Sequence, residues 1–323
     1  MIVDTAEVQA FGEKLTKNLE KVIVGKRNTL TLTIISLLCQ GHLLIEDVPG
    51  VGKTMLARSL AKSLGCSFKR IQFTPDMLPS DVTGVSIYNQ HTQEFEFRPG
   101  PIMAQIVLSD EINRATPKTQ SALLEAMEEH QITVDGITHR LPEPFMLMAT
   151  QNPIEYEGTF PLPEAQLDRF LMRINLGYSS LVNEILILEL QQLQHPIQTL
   201  EPVADTDEIR RVQDIVKHVH VADPVKRYIV EIIRETRDHV EVFLGSSPRG
   251  SLGLFRAGQA RAALDGRDFV LPDDIKALAR YIISHRILIS PAARMRDLSP
   301  DRIVEEIIAS LAVPRGDLGG GDR

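Results

Sequence analysis

His42-Leu43-Leu44-Ile45-Glu46-Asp47-Val48-Pro49-Gly50-Val51-Gly52-Lys53-Thr54 runs directly into Met55-Leu56-Ala57-Arg58-Ser59-Leu60-Ala61. An apolar run that empties into a glycine-rich turn and then a helical pattern makes a phosphate cradle. Glycine lets backbone N–H groups converge on an anion, and the helix N-terminus adds the positive end of its dipole. In that frame Lys53 reaches the β- and γ-phosphates and the Thr54 hydroxyl binds Mg²⁺, while Pro49, Gly50, Val51, Gly52 and Met55 complete the loop. The usual spacing asks for glycine at position 47, where this chain has Asp47. The stretch predicts a nucleoside triphosphate site at the end of a buried strand.

Outward from this strand, apolar, β-rich runs at residues 43–45, 68–73, 106–109, 145–149 and 170–176 alternate with helical patterns. Such runs fit strands buried on both faces, which implies a parallel sheet between helices. Residues 28–45 carry no formal charge, but Gln40-Gly41-His42 interrupts them and threonines dilute them. They read as a buried helix, a turn and a strand, with no membrane span. Two insertions read as β-hairpins, at about 83–97 and at 131–140, the second around the turn pair Asp135-Gly136. Either decorates the surface or grips a partner. Beyond Gly177-Tyr178 the pattern becomes helical, with starts at Asp223-Pro224, Ser247-Pro248, Leu271-Pro272 and Ser299-Pro300. The expected organisation is an α/β nucleotide-binding domain over 1–181, an α-helical lid domain over 182–313 and a disordered tail over 314–323.

Further chemistry stands at the ends of the later runs. The third ends in Asp110-Glu111, which suits a Mg²⁺ partner followed by a general base that polarises the attacking water. The fourth ends in Thr150-Gln151-Asn152-Pro153, where Asn152 either orients the water or γ-phosphate or simply starts a turn. Before the fifth run, Arg169 forms either a surface pair with Asp168 or a finger that enters a neighbouring subunit's site. Arg249 follows Ser247-Pro248, in the first turn of a helix. A cation there opposes the helix dipole, so an anion-facing role accounts for it better than helix stability does.

The 323 residues suit two domains, and 43% hydrophobic with 24% charged residues is a globular composition. With 35 basic and 43 acidic residues the net charge is −8, against nucleic-acid binding as the main task. Cys39 and Cys66 stand apart in apolar stretches and read as free thiols in a reducing compartment. Asp4, Glu7 and Glu13 near the start exclude a secretory signal, so a cytoplasmic location is expected.

The order of these features, from phosphate loop through Asp-Glu and strand-end Asn to Leu-Asp-Arg-Phe and Pro-Arg, resembles the AAA+ ATPases. The segment Ile71-Gln72-Phe73-Thr74-Pro75-Asp76-Met77-Leu78-Pro79-Ser80-Asp81-Val82-Thr83-Gly84 looks more narrowly like the MoxR family. Phe97-Arg98-Pro99-Gly100-Pro101-Ile102, Asp110-Glu111-Ile112-Asn113-Arg114-Ala115 and Ala149-Thr150-Gln151-Asn152-Pro153 agree with it. Asp47 is not unusual in that family. The resemblance implies an ATPase using ATP and Mg²⁺, with Asn152 as first sensor, Arg249 as second sensor in cis and Arg169 as finger in trans. It places Val24 and Gly25 near the adenine and makes Arg114 a candidate intersubunit contact. It implies a homo-hexameric ring that remodels, matures or activates protein partners, including proteins with von Willebrand factor A domains, or assists metal-cofactor insertion. A regulatory subunit of a metal chelatase and a nucleic-acid motor are the alternatives. A small-molecule P-loop kinase needs neither Asn152 nor a helical lid.

Overall fold

Short runs of β-branched and aliphatic residues build the central sheet of the computed structural model, which describes residues 4–152 and 158–314. Its strands are β1 (Leu43–Glu46), β2 (Phe68–Gln72), β3 (Ile106–Asp110), β4 (Met146–Gln151) and β5 (Met172–Ile174), matching the five expected runs. All pairings are parallel and the order is β2-β3-β4-β1-β5. Every residue of β3 is buried, as expected of a strand covered on both faces. β2 differs, with only Ile71 buried, because it is the sheet edge. Exposed Lys69 and Arg70 on that edge discourage pairing with another sheet.

The order also fixes where a site can form. From β1 the chain crosses to β2 at the far edge, and from β4 it passes β1 to reach β5. Connections therefore leave the neighbours β1 and β4 in opposite directions, opening a crevice at their carboxyl ends.

One core cluster joins Leu44, Val107, Leu147 and Ala149 of the sheet to Phe73, Phe170 and residues Leu123, Leu124 and Met127 of the helix Pro117–Glu129. His42, buried just before β1, stitches the same region together. Its Nδ1 accepts the Leu147 N–H at 3.1 Å, so Nε2 carries the proton and donates to the Met127 carbonyl at 3.2 Å. Burial pushes its pKa down from 6.5 to about 4, against the Met127 carbonyl, which favours the charged form; His130 nearby lowers it further. The helix Arg27–Leu38, a turn and β1 account for the uncharged stretch 28–45. No described helix is long and apolar enough to cross a membrane.

Both insertions are antiparallel hairpins, Gly84–Asn89 with Glu94–Pro99 and Gln131–Val134 with Ile137–Arg140. Asp135 and Gly136 both take positive φ (50° and 80°), the conformation a two-residue hairpin turn demands. Phe97 and His139 stack with centroids 3.9 Å apart, linking one hairpin to the other.

Two compact units divide the chain, Phe11–Gln213 and residues 4–10 with 214–314. The expected boundary lay at 181/182; this division falls at 213/214. Residues 182–213 fall in the α/β unit, and specific bonds hold their later part there. Buried Gln213 donates to the Leu37 carbonyl at 2.7 Å, Val203 N–H bonds Ser63 O at 2.8 Å, and Asn18 donates to Glu201 O at 2.9 Å. The second unit holds the helices Asp223–Asp238, Pro248–Leu264, Pro272–Ile283 and Pro300–Ser310, each with proline in its first turn as expected. Ser247 and Ser299 cap theirs by accepting the Arg249 and Arg302 N–H groups. The unit is not purely helical: Val242–Leu244 and Leu288–Ile289 pair as a small antiparallel ribbon. Strands of two or three residues are too short to show alternation in sequence. Of the expected tail, residues 315–323 lie outside the described residues, as does Pro153.

Candidate active site

β1 delivers the chain to Asp47, whose N–H bonds the Gln151 carbonyl of β4 at 3.2 Å. Gly50 (φ 86°) and Gly52 (φ 100°) then take the left-handed backbone that turns the loop. A Cβ at Gly50 would meet nothing within 4 Å, so backbone conformation, not space, requires glycine there. Gly52 caps the helix Lys53–Ser63, and the loop lies at its N-terminus. Lys53 Nζ donates to the Asp47 carbonyl at 2.6 Å, which holds the ammonium over the loop's own entrance.

Asp47 explains its departure from glycine. Its Oδ1 accepts the Val48 N–H at 2.8 Å, and its Oδ2 accepts those of Leu176 (2.7 Å) and Gly177 (2.6 Å). Three backbone donors compensate a carboxylate that is nearly buried. The side chain thereby ties the start of the loop to the chain leaving β5, a tie glycine cannot make.

At the end of β3, Asp110 is held from both neighbouring strands. Its Oδ1 accepts the Thr150 hydroxyl of β4 at 2.6 Å. Its Oδ2 accepts Arg70 of β2 twice, from Nε at 3.0 Å and Nη2 at 2.5 Å. Glu111 follows in the left-handed region (φ 57°, ψ 49°), a strained backbone for a non-glycine residue and of a kind concentrated at functional sites. Its N–H donates to Thr150 Oγ1 at 2.9 Å. Its Oε2 accepts Gln72 Nε2 at 2.8 Å and pairs with Arg114 Nε at 3.2 Å. Asn152, buried, stands just beyond the end of β4.

One cleft of about 320 Å³ collects these groups: Pro49, Gly50, Gly52, Lys53, Thr54 and Met55 of the loop, with Asp110, Glu111, Asn152 and Arg70. All but Arg70 are residues the sequence proposes. The donor set fits a magnesium nucleotide: an open glycine turn at a helix N-terminus for phosphates, and a hydroxyl with a carboxylate, hard oxygen ligands, for the metal.

Val24, Gly25 and Arg169 belong to the same unit as the cleft but do not line it. Val24 is buried, and Gly25 (φ 71°) is where a Cβ would come within 2.0 Å of the Asn183 side chain. Arg169 Nε pairs with Glu128 Oε2 at 2.8 Å. Arg249 lies in the first turn of Pro248–Leu264, in the other unit. Reading the sequence missed Arg70, Gln72, Thr150 and the anchoring by Asp47. Arg70 and Gln72 carried a signal, being polar residues two apart on a run otherwise taken as buried, hence on one face of a strand.

Comparison with known proteins agrees with this geometry. The ATPase family associated with various cellular activities (AAA) matches residues 42–172, and the AAA lid domain matches residues 234–307. The uncharacterized protein YeaC of Bacillus subtilis is 57% identical over 93% of this chain and 94% of its own length. The chaperone MoxR1 of Mycobacterium tuberculosis is 38% identical, covering 96% of this chain and 84% of its own. A crystal structure from Cytophaga hutchinsonii, described as that of a candidate ATPase, superimposes with a TM-score of 0.90 at 35% identity over 97% of both chains.

Proposed function

Because the chain belongs to the MoxR family of AAA+ ATPases, we propose that it hydrolyses Mg-ATP at the β1–β3–β4 cleft, in a ring of like subunits, to remodel or activate partner proteins. The observation that carries this reading is the single cleft that brings Lys53 and Thr54, at a helix N-terminus, together with Asp110, Glu111 and Asn152 at neighbouring strand ends. Thr54 and Asp110 would hold Mg²⁺, which would supply charge neutralisation on the phosphates. Lys53 binds the β- and γ-phosphates. Glu111 takes the proton of the attacking water, and Asn152 orients that water. Arg249 acts from the lid, Val24 and Gly25 lie by the adenine, and Arg169 completes the site of a neighbouring subunit. Arg114, paired to Glu111, answers to that neighbour as well.

A hexamer is the ring we infer, with von Willebrand factor A domain proteins or immature metal enzymes as the partner class. The name of MoxR1, a chaperone, supports a protein partner. The hairpins support it too, with Phe95 74% exposed and Tyr88 packed edge-on against it. Mixing Arg169→Ala with Glu111→Gln subunits tests the shared site. Each variant alone is expected to be slow, and the mixture to recover activity where an Arg169→Ala site meets an intact Arg169. Wild-type turnover by Arg169→Ala alone would remove the finger.

A further inference from the structure

We propose that Arg70 is a tethered counter-ion that competes with Mg²⁺ for the Asp110 carboxylate and so sets the site's demand for the metal. The inference rests on the assignment of Asp110 to Mg²⁺ made above. Three facts support it. Arg70 grips Asp110 Oδ2 with two nitrogens, and the same Nη2 donates to Gln72 Oε1 at 2.5 Å. The pair lies in the cleft wall, beside Lys53, Thr54 and Glu111. The Arg70 side chain is 46% exposed, whereas that of Asp110 is 12% exposed.

Those exposures decide which partner can move. A half-exposed guanidinium on an edge strand can turn into water at small cost, while the carboxylate is fixed in place. Thr150 still donates to Oδ1 once Arg70 leaves, so Asp110 stays aimed without its cation. A carboxylate offers about four lone-pair positions, and Nε, Nη2 and the Thr150 hydroxyl take three of them. A hydrated Mg²⁺ needs the charge of this carboxylate, which a guanidinium holding Oδ2 with two nitrogens already neutralises. Lys53 is placed differently, with its ammonium on the Asp47 carbonyl.

A purely structural Arg70, one that holds Asp110 ready for the metal, predicts the opposite sign. The test is Mn²⁺ binding to the protein–ADP complex, read from the free Mn²⁺ signal by electron paramagnetic resonance, in wild type, Arg70→Gln and Arg70→Lys. Removing the charge is expected to tighten Mn²⁺ about threefold to tenfold, with Arg70→Lys between the two. ADP affinity in EDTA, measured on the same samples, should be unchanged in Arg70→Gln, which also reports an intact fold. Unchanged or weaker Mn²⁺ binding in Arg70→Gln overturns the inference, and so does a loss of ADP affinity in EDTA, which would make Arg70 a phosphate contact. Failure of the wild type to bind ADP at all would instead remove the nucleotide site, and this inference with it.

Discussion

β3 and the hairpin strand Glu94–Pro99 have nearly the same length and opposite fates. All five residues of β3 are buried, whereas Phe97 alone among the six of Glu94–Pro99 escapes full exposure. Ile106-Val107-Leu108-Ser109-Asp110 is apolar until its last residues, so it belongs between two layers, and its polar end must find partners there. Glu94-Phe95-Glu96-Phe97 alternates, yet its aromatic residues are not used for a deep core: Phe97 stacks on His139 and Phe95 stays in water. The lesson is that chemistry collects where buried strands end, because unsatisfied carboxylates and amides there are forced into a network. The exposed hairpin strand is under no such pressure and leaves Phe95 in water.

Phe73 and Phe95 offer the sharpest test, since the residue type is the same and the burial is not. Phe73→Ala is expected to cost about 3–5 kcal/mol, read by urea denaturation, for a side chain with no exposure in the core cluster. An intermediate effect comes from His42. The folded protein keeps it neutral down to about pH 4, while the unfolded chain protonates it near 6.5. Between those values the unfolded state binds more protons, so stability is lost as pH falls through the window, by about 3 kcal/mol at the bottom. The advantage of wild type over His42→Gln should therefore be largest near neutral pH and shrink towards pH 4; a constant difference would contradict the buried neutral assignment. Asp47→Ala should cost about 1–3 kcal/mol, because three backbone N–H groups lose their acceptor. Nucleotide affinity should fall with it as the loop loosens, checked by ADP titration. Phe95→Ala should change stability by no more than about 0.5 kcal/mol. If it destabilised the chain as much as Phe73→Ala, the division between core strands and surface hairpins would be wrong.

Local signals made much of this legible in advance. The phosphate loop, the five strands, the Asp135-Gly136 turn and the Ser-Pro helix starts are each written in adjacent residues, so spacing alone reveals them. The network around them is not local. Asp47 meets Leu176 and Gly177 across 129 and 130 positions, and Arg70 meets Asp110 across 40. Only the strand order brings those partners together. The boundary of the units depended likewise on the buried bond from Gln213 to Leu37, 176 residues away. Edge position explains the remaining error, for β2 carries Lys69, Arg70 and Gln72 on a run that otherwise reads as core.

The central claim, that the cleft hydrolyses ATP with Glu111 as its base, is tested most directly by single-turnover ATP hydrolysis in Glu111→Gln. Retained ATP with hydrolysis slowed by about 100-fold or more is the predicted result. Hydrolysis at the wild-type rate would contradict it.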